Sequence, residues 1–495
     1  MTQVQAAGID ERISEAVTPV ADAITKVVFY SVNIGEAELP LIVVWLIVAA
    51  VFFTVYLGFL NVRGFKHALD LVRGRYSDPH DAGEVSHFQA LATAVSGTVG
   101  LGNIAGVAIA ISLGGPGATF WMILAGFLGM STKMAECTLG VKYRNEHADG
   151  TVSGGPMYYL EKGVGAVTGK RALGKVLAVV FAIAAIGGSL GGGNMFQANQ
   201  ATAQIVAVTG GDDSPFAKLN WVIGLAFAIL VGLVIIGGIR SIARVTEKLV
   251  PFMAVLYLSA CVVVLAFNVD KIGGAFGDIL TGAFSPEGIT GGFVGVLIVG
   301  FQRAAFSNEA GIGSASIAHS AVRTKHPSTE GHVALLEPFI DTVVICTMTA
   351  LVIVITGAYQ DPAASELGGV ALTSNAFETV IPWFPNVLAV AVVLFAFSTM
   401  ISWSYYGMKA TGYLFNDSAK AELVFKGVFV VFTVIGAAMS LGPVIDFSDS
   451  MIFLMSVPNV IGLYILARVL RREIRGYRSK VASGEFAPVE QRTGR

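Results

Sequence analysis

Ala90–Ile111 reads ALATAVSGTVGLGNIAGVAIAI, and the fold turns on this stretch. It is apolar over the length a bilayer-crossing helix needs, about 20 residues. Its middle nevertheless holds Gly97, Gly100, Gly102 and Gly106, with Ser96, Thr98 and Asn103 between them. Each glycine costs a helix about 1 kcal/mol relative to alanine, and polar side chains are rare in hydrocarbon unless something uses them. The pattern predicts a membrane helix broken at its centre, with the unwound backbone facing a substrate rather than lipid. Close packing between helices would also favour small residues. A second stretch decides between the two. Val294–His319, VGVLIVGFQRAAFSNEAGIGSASIAH, again begins apolar and breaks into glycine and polar residues.

Working outward, the composition fits a polytopic membrane protein. Of 495 residues, 54% are hydrophobic and only 13% are charged, against about 25% charged in soluble proteins. Cys137, Cys261 and Cys346 all fall in apolar runs without disulfide or metal spacing, so they read as small buried hydrophobes. The first 39 residues lack an uninterrupted apolar core behind a basic start, so no cleavable signal is expected. Ile13, Val17, Val20, Ile24 and Val27 recur at helical spacing and predict an amphipathic surface helix.

Eleven spans are expected. A leading span, 39–60, precedes ten more: span 1 at Ala90–Ile111, 2 at Gly117–Gly140, 3 at Leu173–Val206, 4 at Trp221–Gly237 and 5 at Leu249–Phe267. Then come span 6 at Gly291–His319, 7 at Val333–Ile355, 8 at Asn386–Gly412, 9 at Leu423–Met439 and 10 at Val444–Leu466. Lys and Arg gather in alternate connections: before span 1, between 2 and 3, 4 and 5, 6 and 7, 8 and 9, and after 10. Basic loops face the cytoplasm, which predicts the N-terminus outside and the C-terminus inside. The connection Ala358–Pro385 has no Lys or Arg and predicts an external loop with a short interfacial helix, a candidate lid. Gly154–Tyr159 (GGPMYY) predicts an interfacial turn and anchor, or a plain surface loop.

The interrupted spans 1 and 6 are five apart. So are span 3, with Asn194, Gln197, Asn199, Gln200 and Gln204, and span 8, with Ser398, Thr399, Ser402 and Ser404. Five is odd, so two halves built this way are inverted in the membrane, the mark of a secondary transporter with its site at the midplane. No GxxxxGK[ST] stretch occurs, so an ion gradient rather than ATP is the expected driving force. No nucleophile–base pair or metal spacing points to an enzyme. Unwound helix starts expose N–H groups that suit a carboxylate. Freed carbonyls and hydroxyls suit a hard cation such as sodium. Glu309 can pair with Arg303 or Lys133, or carry a coupling proton. Glu136 with Lys133 and Glu337 with Asp341 are further expected partners.

Ser96–Gly106 (SGTVGLGNIAG), Gly154–Leu160 (GGPMYYL) and Phe306–Ser314 (FSNEAGIGS) together resemble the alanine or glycine:cation symporter family, within the LeuT-like group. The likeness spans nearly the whole chain. It implies an all-α protein of eleven transmembrane helices, ten in a 5+5 inverted repeat behind one leading helix. By this likeness, 1–38 is an external amphipathic segment, 90–267 and 291–466 are the two five-helix repeats, and 467–495 is a basic cytoplasmic tail. It implies sodium-driven uptake of a small neutral amino acid, alanine or glycine, across a cell membrane, with no nucleic acid partner. A proton-coupled carrier and a non-transporting amino acid sensor on the same fold stay open, as does the oligomeric state.

Residue by residue, the resemblance implies that the N–H groups of Leu101 and Gly102 meet the substrate carboxylate. Gln197 or Asn194, and Gln302 or the carbonyl near Phe306, meet its ammonium. Thr98 and Phe301 complete the substrate set. The carbonyls of Ser96 and Val99, with the hydroxyls of Ser398 and Thr399, bind Na⁺. Those hydroxyls can instead bond their own helix backbone, and the amides can instead serve as interhelical bonds. The chain departs from the family pattern at Leu101, where threonine is frequent, and at Ala304, where glycine is frequent. These departures touch the side chain preferred more than the amino acid class.

Overall fold

The computed structural model describes residues 9–34, 37–284, 292–361 and 368–489. The expected start of span 6 at Gly291, Glu366 of the external connection, and Arg492 and Arg495 of the tail lie outside them. The described chain is mostly helical, with two short antiparallel hairpins, Ser31–Ile34 with Ala37–Pro40 and Asn145–Glu146 with Val152–Ser153.

Six described helices are long and apolar enough to cross a bilayer: Arg171–Val208, Gly238–Phe267, Pro327–Thr356, Phe384–Leu414, Ala419–Ala438 and Leu441–Ala482. The pair His87–Thr98 and Gly102–Gly114, bent by 51°, makes a seventh. Helices also stand at the other expected spans, but they do not meet that measure. Leu41–Tyr56 and Asn220–Ile235 have 16 residues each, and Gly292–Asn308 has 17. Ala118–Lys142 is longer but carries the buried charges Lys133 and Glu136. Apolar side chains exposed on span 4 (Leu225, Ile229, Leu233, Ile236) and span 5 (Phe252, Val255, Val262) form a face that suits lipid.

Span 1 breaks where predicted. Its first half starts at a capping box, with the Ser86 hydroxyl accepting the Gln89 N–H and the Gln89 side chain accepting the Ser86 N–H. Helix ends at Val99 (φ −75°, ψ 84°) and resumes as a widened turn over Gly102–Gly106. Span 6 breaks after Asn308. Glu309 takes φ 57°, a left-handed conformation costly for a side chain with Cβ, and Gly311 and Gly313 follow at 91° and 95°. A short helix, Ala315–His319, continues beyond. Span 3 is widened over Gly191–Met195 and span 7 over Phe339–Cys346. Such one-turn widenings are frequent at functional sites.

Two surface expectations are corrected, those for the connection Ala358–Pro385 and for Gly154–Tyr159. The helix Gly369–Glu378 of the external connection is not interfacial. Leu372, Thr373, Ala376 and Phe377 are buried, and the Thr373 hydroxyl donates to the Ile104 carbonyl at 3.1 Å, over the break in span 1. Met157 and Tyr159 of the GGPMYY stretch are buried, and the Tyr159 hydroxyl donates to Asn459, so this is an internal element rather than an anchor. The N-terminal helix Ile9–Val28 lies on the last helix, where the Thr25 hydroxyl meets the Asp446 carbonyl at 3.2 Å and Ser450 at 2.8 Å. The basic tail is no separate segment at its start: the last helix runs unbroken from Leu441 to Ala482.

Candidate functional site

The break in span 1 leaves backbone groups that need partners, and side chains supply them. The Gly100 N–H donates to Asn103 Oδ1 at 2.9 Å. The Leu101 N–H donates to Gln197 Oε1 at 3.0 Å, while Gln197 Nε2 donates to the Gly192 carbonyl at 2.9 Å. On the other side, span 8 crosses the break. The Thr399 hydroxyl donates to the Ser96 carbonyl at 2.9 Å, and the Ser96 hydroxyl to the Ser398 carbonyl at 2.7 Å. Trp403 Nε1 reaches the Gly97 carbonyl at 3.2 Å. Beside Gly102 stands Phe306, in edge contact with Phe196 at 5.2 Å. A methyl group on Gly102 would lie 3.6 Å from the Phe306 ring and 3.4 Å from the Ser307 backbone.

Seven of the expected residues therefore converge: Ser96, Val99, Leu101, Gly102, Gln197, Phe306 and Thr399. Ser398 adjoins them, but its hydroxyl donates to the Phe395 carbonyl of its own helix at 3.0 Å and faces Met253. Four others are turned to different tasks. The Thr98 hydroxyl bonds its own helix at Ala94 and Val95. Asn194 is used at both ends by span 9, donating to the Phe429 carbonyl at 2.6 Å and accepting from Thr433 at 2.8 Å. Phe301 lies 6.4 Å from the Trp121 ring. Gln302 donates to Asp449 at 3.2 Å, an interhelical bond to span 10.

The buried charges pair differently from expectation. Arg303 is bonded to Asp449 rather than to Glu309. Lys133 lies 3.3 Å from Glu337 rather than on Glu136, whose carboxylate accepts from Asn459 at 2.8 Å. Glu309 accepts from Ser314 and, at 3.1 Å, from Trp403 Nε1. Asp341 does not face Glu337. It accepts from Asn103 at 2.6 Å, Thr342 at 2.7 Å and Ser307 at 2.9 Å, which ties span 7 to both broken helices. Asn103, Ser307 and Trp403 are thus site residues that the sequence reading left unassigned. Asn103 carried a signal, a buried-type amide between two glycines. Trp403 carried none, because tryptophan in an apolar helix reads as core.

The arrangement offers hard oxygen donors on one side of a helix break and an aromatic wall on the other, with no nucleophile set against a base. A solved structure, that of MhsT in complex with L-phenylalanine, aligns with TM-score 0.52 at 18% identity, covering 79% of this chain and 98% of that one. The fold is therefore LeuT-like. The family model described as the sodium:alanine symporter family matches residues 22–491, and the chain belongs to that family of cation-coupled amino acid symporters. Among curated relatives, the sodium/alanine symporter AgcS of Methanococcus maripaludis is 41% identical over 88% of this chain and 94% of its own length. The amino-acid carrier protein AlsT of Bacillus subtilis is 31% identical over 89% and 90%.

Proposed function

We propose that this protein takes up a small neutral amino acid, alanine foremost and glycine next, together with Na⁺ by alternating access. The observation that carries the reading is the crossing of spans 1 and 8. There the Ser96 carbonyl and the Thr399 hydroxyl lie 2.9 Å apart beside the unwound Val99–Gly102. In the Na⁺-bound state the Thr399 O–H turns away from the Ser96 carbonyl, keeping its proton, and the cation lies between the two oxygens, held also by the Val99 carbonyl, with Ser398 rotating in from Phe395. Oxygen ligands of this kind suit a hard cation. The substrate carboxylate lies at the positive start of the resumed helix, at the Gly102 N–H, with Phe306 and Phe196 as walls. Alanine is favoured by the relative with 41% identity, which is named a sodium/alanine symporter. Thr98, Asn194, Phe301 and Gln302 have no part in this ligand set.

The same reading arranges ten spans as inverted repeats over 90–267 and 291–466, with a leading helix over 39–60. It puts the N-terminus outside and the basic loops inside. One observation favours a proton-coupled version: among the described residues Glu309 is in no ion pair, its carboxylate held by Ser314 and Trp403 while Lys133 acts on it only through space. Uptake of labelled alanine into proteoliposomes tests both readings, with an inward Na⁺ gradient against an equal K⁺ gradient. Accumulation with Na⁺ alone supports sodium coupling. Accumulation under K⁺ that follows a pH gradient would replace it with proton coupling. Binding without accumulation in either would mean a sensor.

A further inference from the structure

Away from the break, toward the basic-loop face, a chain of buried charged side chains joins four elements. His87, the first residue of span 1, is bonded through Nδ1 to Glu330 Oε1. The other Glu330 oxygen is bonded to Nδ1 of His319, the last residue of the short helix that ends span 6. His319 Nε2 meets Glu337 Oε1 at 2.5 Å, and Glu337 Oε2 lies 3.3 Å from Lys133 of span 2. His87 is 3% exposed, and the other four residues are fully buried.

The geometry fixes a proton. A neutral imidazole has one N–H and one lone pair, and an ionised carboxylate only accepts. Both ring nitrogens of His319 face carboxylate oxygens. A neutral ring between two ionised carboxylates would press a nitrogen lone pair against an oxygen lone pair. The chain as seen therefore contains one proton beyond that neutral set, and it belongs on His319 as imidazolium because imidazole is a stronger base than either carboxylate. His87, with one nitrogen engaged, needs no such charge. The other titratable groups within electrostatic reach include Glu136 and Cys137 of span 2, Glu309 at the break in span 6, Asp341 of span 7 and Tyr406 of span 8. None of these is bonded at two opposed positions to carboxylates.

What that proton holds is a clasp. The N–H groups of Glu84 and Val85 donate to the Ala321 carbonyl at 2.7 and 3.2 Å, and the Arg323 N–H donates to the Val85 carbonyl at 2.9 Å. Arg144, itself buried, donates to the carbonyls of Ala82, Ser320, Val322 and Thr324. Residues 82–87 lead into the first half of span 1, and 319–324 lead out of the second half of span 6. The clasp thus binds the basic-face ends of both broken helices. The His319 proton ties the same ends through Glu330.

We infer that His319 is a proton-binding site that locks the basic-face gate of the transporter, and that loss of this proton releases the clasp. Without the proton, His319 keeps one carboxylate bond and loses the other. If the Glu330 bond goes, the end of span 1 is freed through His87. If the Glu337 bond goes, span 6 parts from spans 2 and 7. Protonation therefore favours the closed gate, and rising pH on that face favours its opening. Calling this contact a gate rests on the alternating-access reading above.

Hydrogen–deuterium exchange on the full chain in lipid nanodiscs tests the inference without measuring transport. Failure of sodium coupling would leave its outcome unchanged. Backbone protection of 82–87 and 319–324 should fall together, by about tenfold or more after correction for intrinsic exchange, on going from about pH 6 to about pH 10.5. His319→Gln, which cannot carry the charge, should show the lower protection already at the acid end and lose the pH response. Unchanged protection of the wild-type clasp across that range would overturn the proposal, with no variant needed. So would a His319→Gln protein that keeps the wild-type pH response.

Discussion

The Thr399 hydroxyl donates to the Ser96 carbonyl at 2.9 Å while the Ser96 hydroxyl donates to the Ser398 carbonyl at 2.7 Å, a reciprocal pair of bonds between the broken span 1 and the uninterrupted span 8. Ser398 is the lesser partner, because its own hydroxyl is spent on Phe395. Thr399→Ala should therefore raise the Na⁺ needed for half-maximal uptake by about tenfold, the loss of one hard ligand being worth about 1.5 kcal/mol. Ser398→Ala should raise it less. Na⁺ titration of uptake at saturating alanine reads both. Equal Na⁺ dependence in wild type and Thr399→Ala would remove the hydroxyl from the cation site.

The two glycines at the break should behave differently. A Cβ on Gly100 would run into the Thr399 hydroxyl and stand 3.0 Å from Gln197 Oε1, so Gly100→Ala displaces the hydroxyl assigned to the cation and crowds the amide that holds Leu101. On Gly102 the methyl meets the Phe306 ring and Ser307 at ordinary contact distances. Gly100→Ala should abolish Na⁺-dependent uptake in a folded protein. Gly102→Ala should keep it but narrow the pocket by one methyl, a change worth about 1–3 kcal/mol between competing substrates. Competition of labelled alanine by glycine and by serine should shift toward glycine in Gly102→Ala. An unshifted ratio would mean that the substrate lies elsewhere.

Gln197 serves the break twice, accepting from Leu101 and donating to Gly192. Gln197→Leu leaves a buried N–H and a buried carbonyl without these partners, at about 1–3 kcal/mol each. The thermal midpoint should fall, and the KM for alanine should rise more than kcat falls, since the Leu101–Gly102 backbone is what the amide positions. Gln197→Glu keeps the acceptor but loses the donor and should lie between wild type and Gln197→Leu. A KM unchanged in both would confine Gln197 to stability.

The helix breaks were legible because glycine and polar residues inside an apolar run have a local cost that composition displays. The partners across the break were partly legible. Gln197 and Thr399 stand in polar runs on spans 3 and 8. Asn194 stands in the same run as Gln197, three residues away, where a regular helix would put both near one face, yet it faces span 9, because it lies in the widened turn Gly191–Met195, which shifts the register and which the run alone does not reveal. Pairing of buried charges was illegible at longer range. Arg303 and Asp449 are 146 positions apart, and only the packing of spans 6 and 10 chooses Asp449 over Glu309. The His87–Glu330–His319 chain gave no pattern at all, since each member sits singly at the end of a different helix.

Arg303 and Asp449 form a buried charge pair between spans 6 and 10, with Gln302 as a second donor to the same carboxylate and the guanidinium over the Phe306 ring at 5.5 Å. A pair removed from water this far gains little over an apolar replacement, but a lone survivor is costly, at about 3–5 kcal/mol. Asp449→Asn strands Arg303 and should lower the thermal midpoint markedly. Arg303→Met with Asp449→Leu should recover most of the loss, because neither charge remains to be solvated. Stability and transport should then separate. Phe306 walls the proposed substrate site, and the pair fixes the turn that carries it. The double variant should therefore be well folded yet show a raised KM for alanine with its Na⁺ dependence intact. Thermal melting in detergent and uptake in proteoliposomes measure the two arms. A double variant as unstable as Asp449→Asn would mean that the charges, rather than the burial of an unpaired one, hold spans 6 and 10 together.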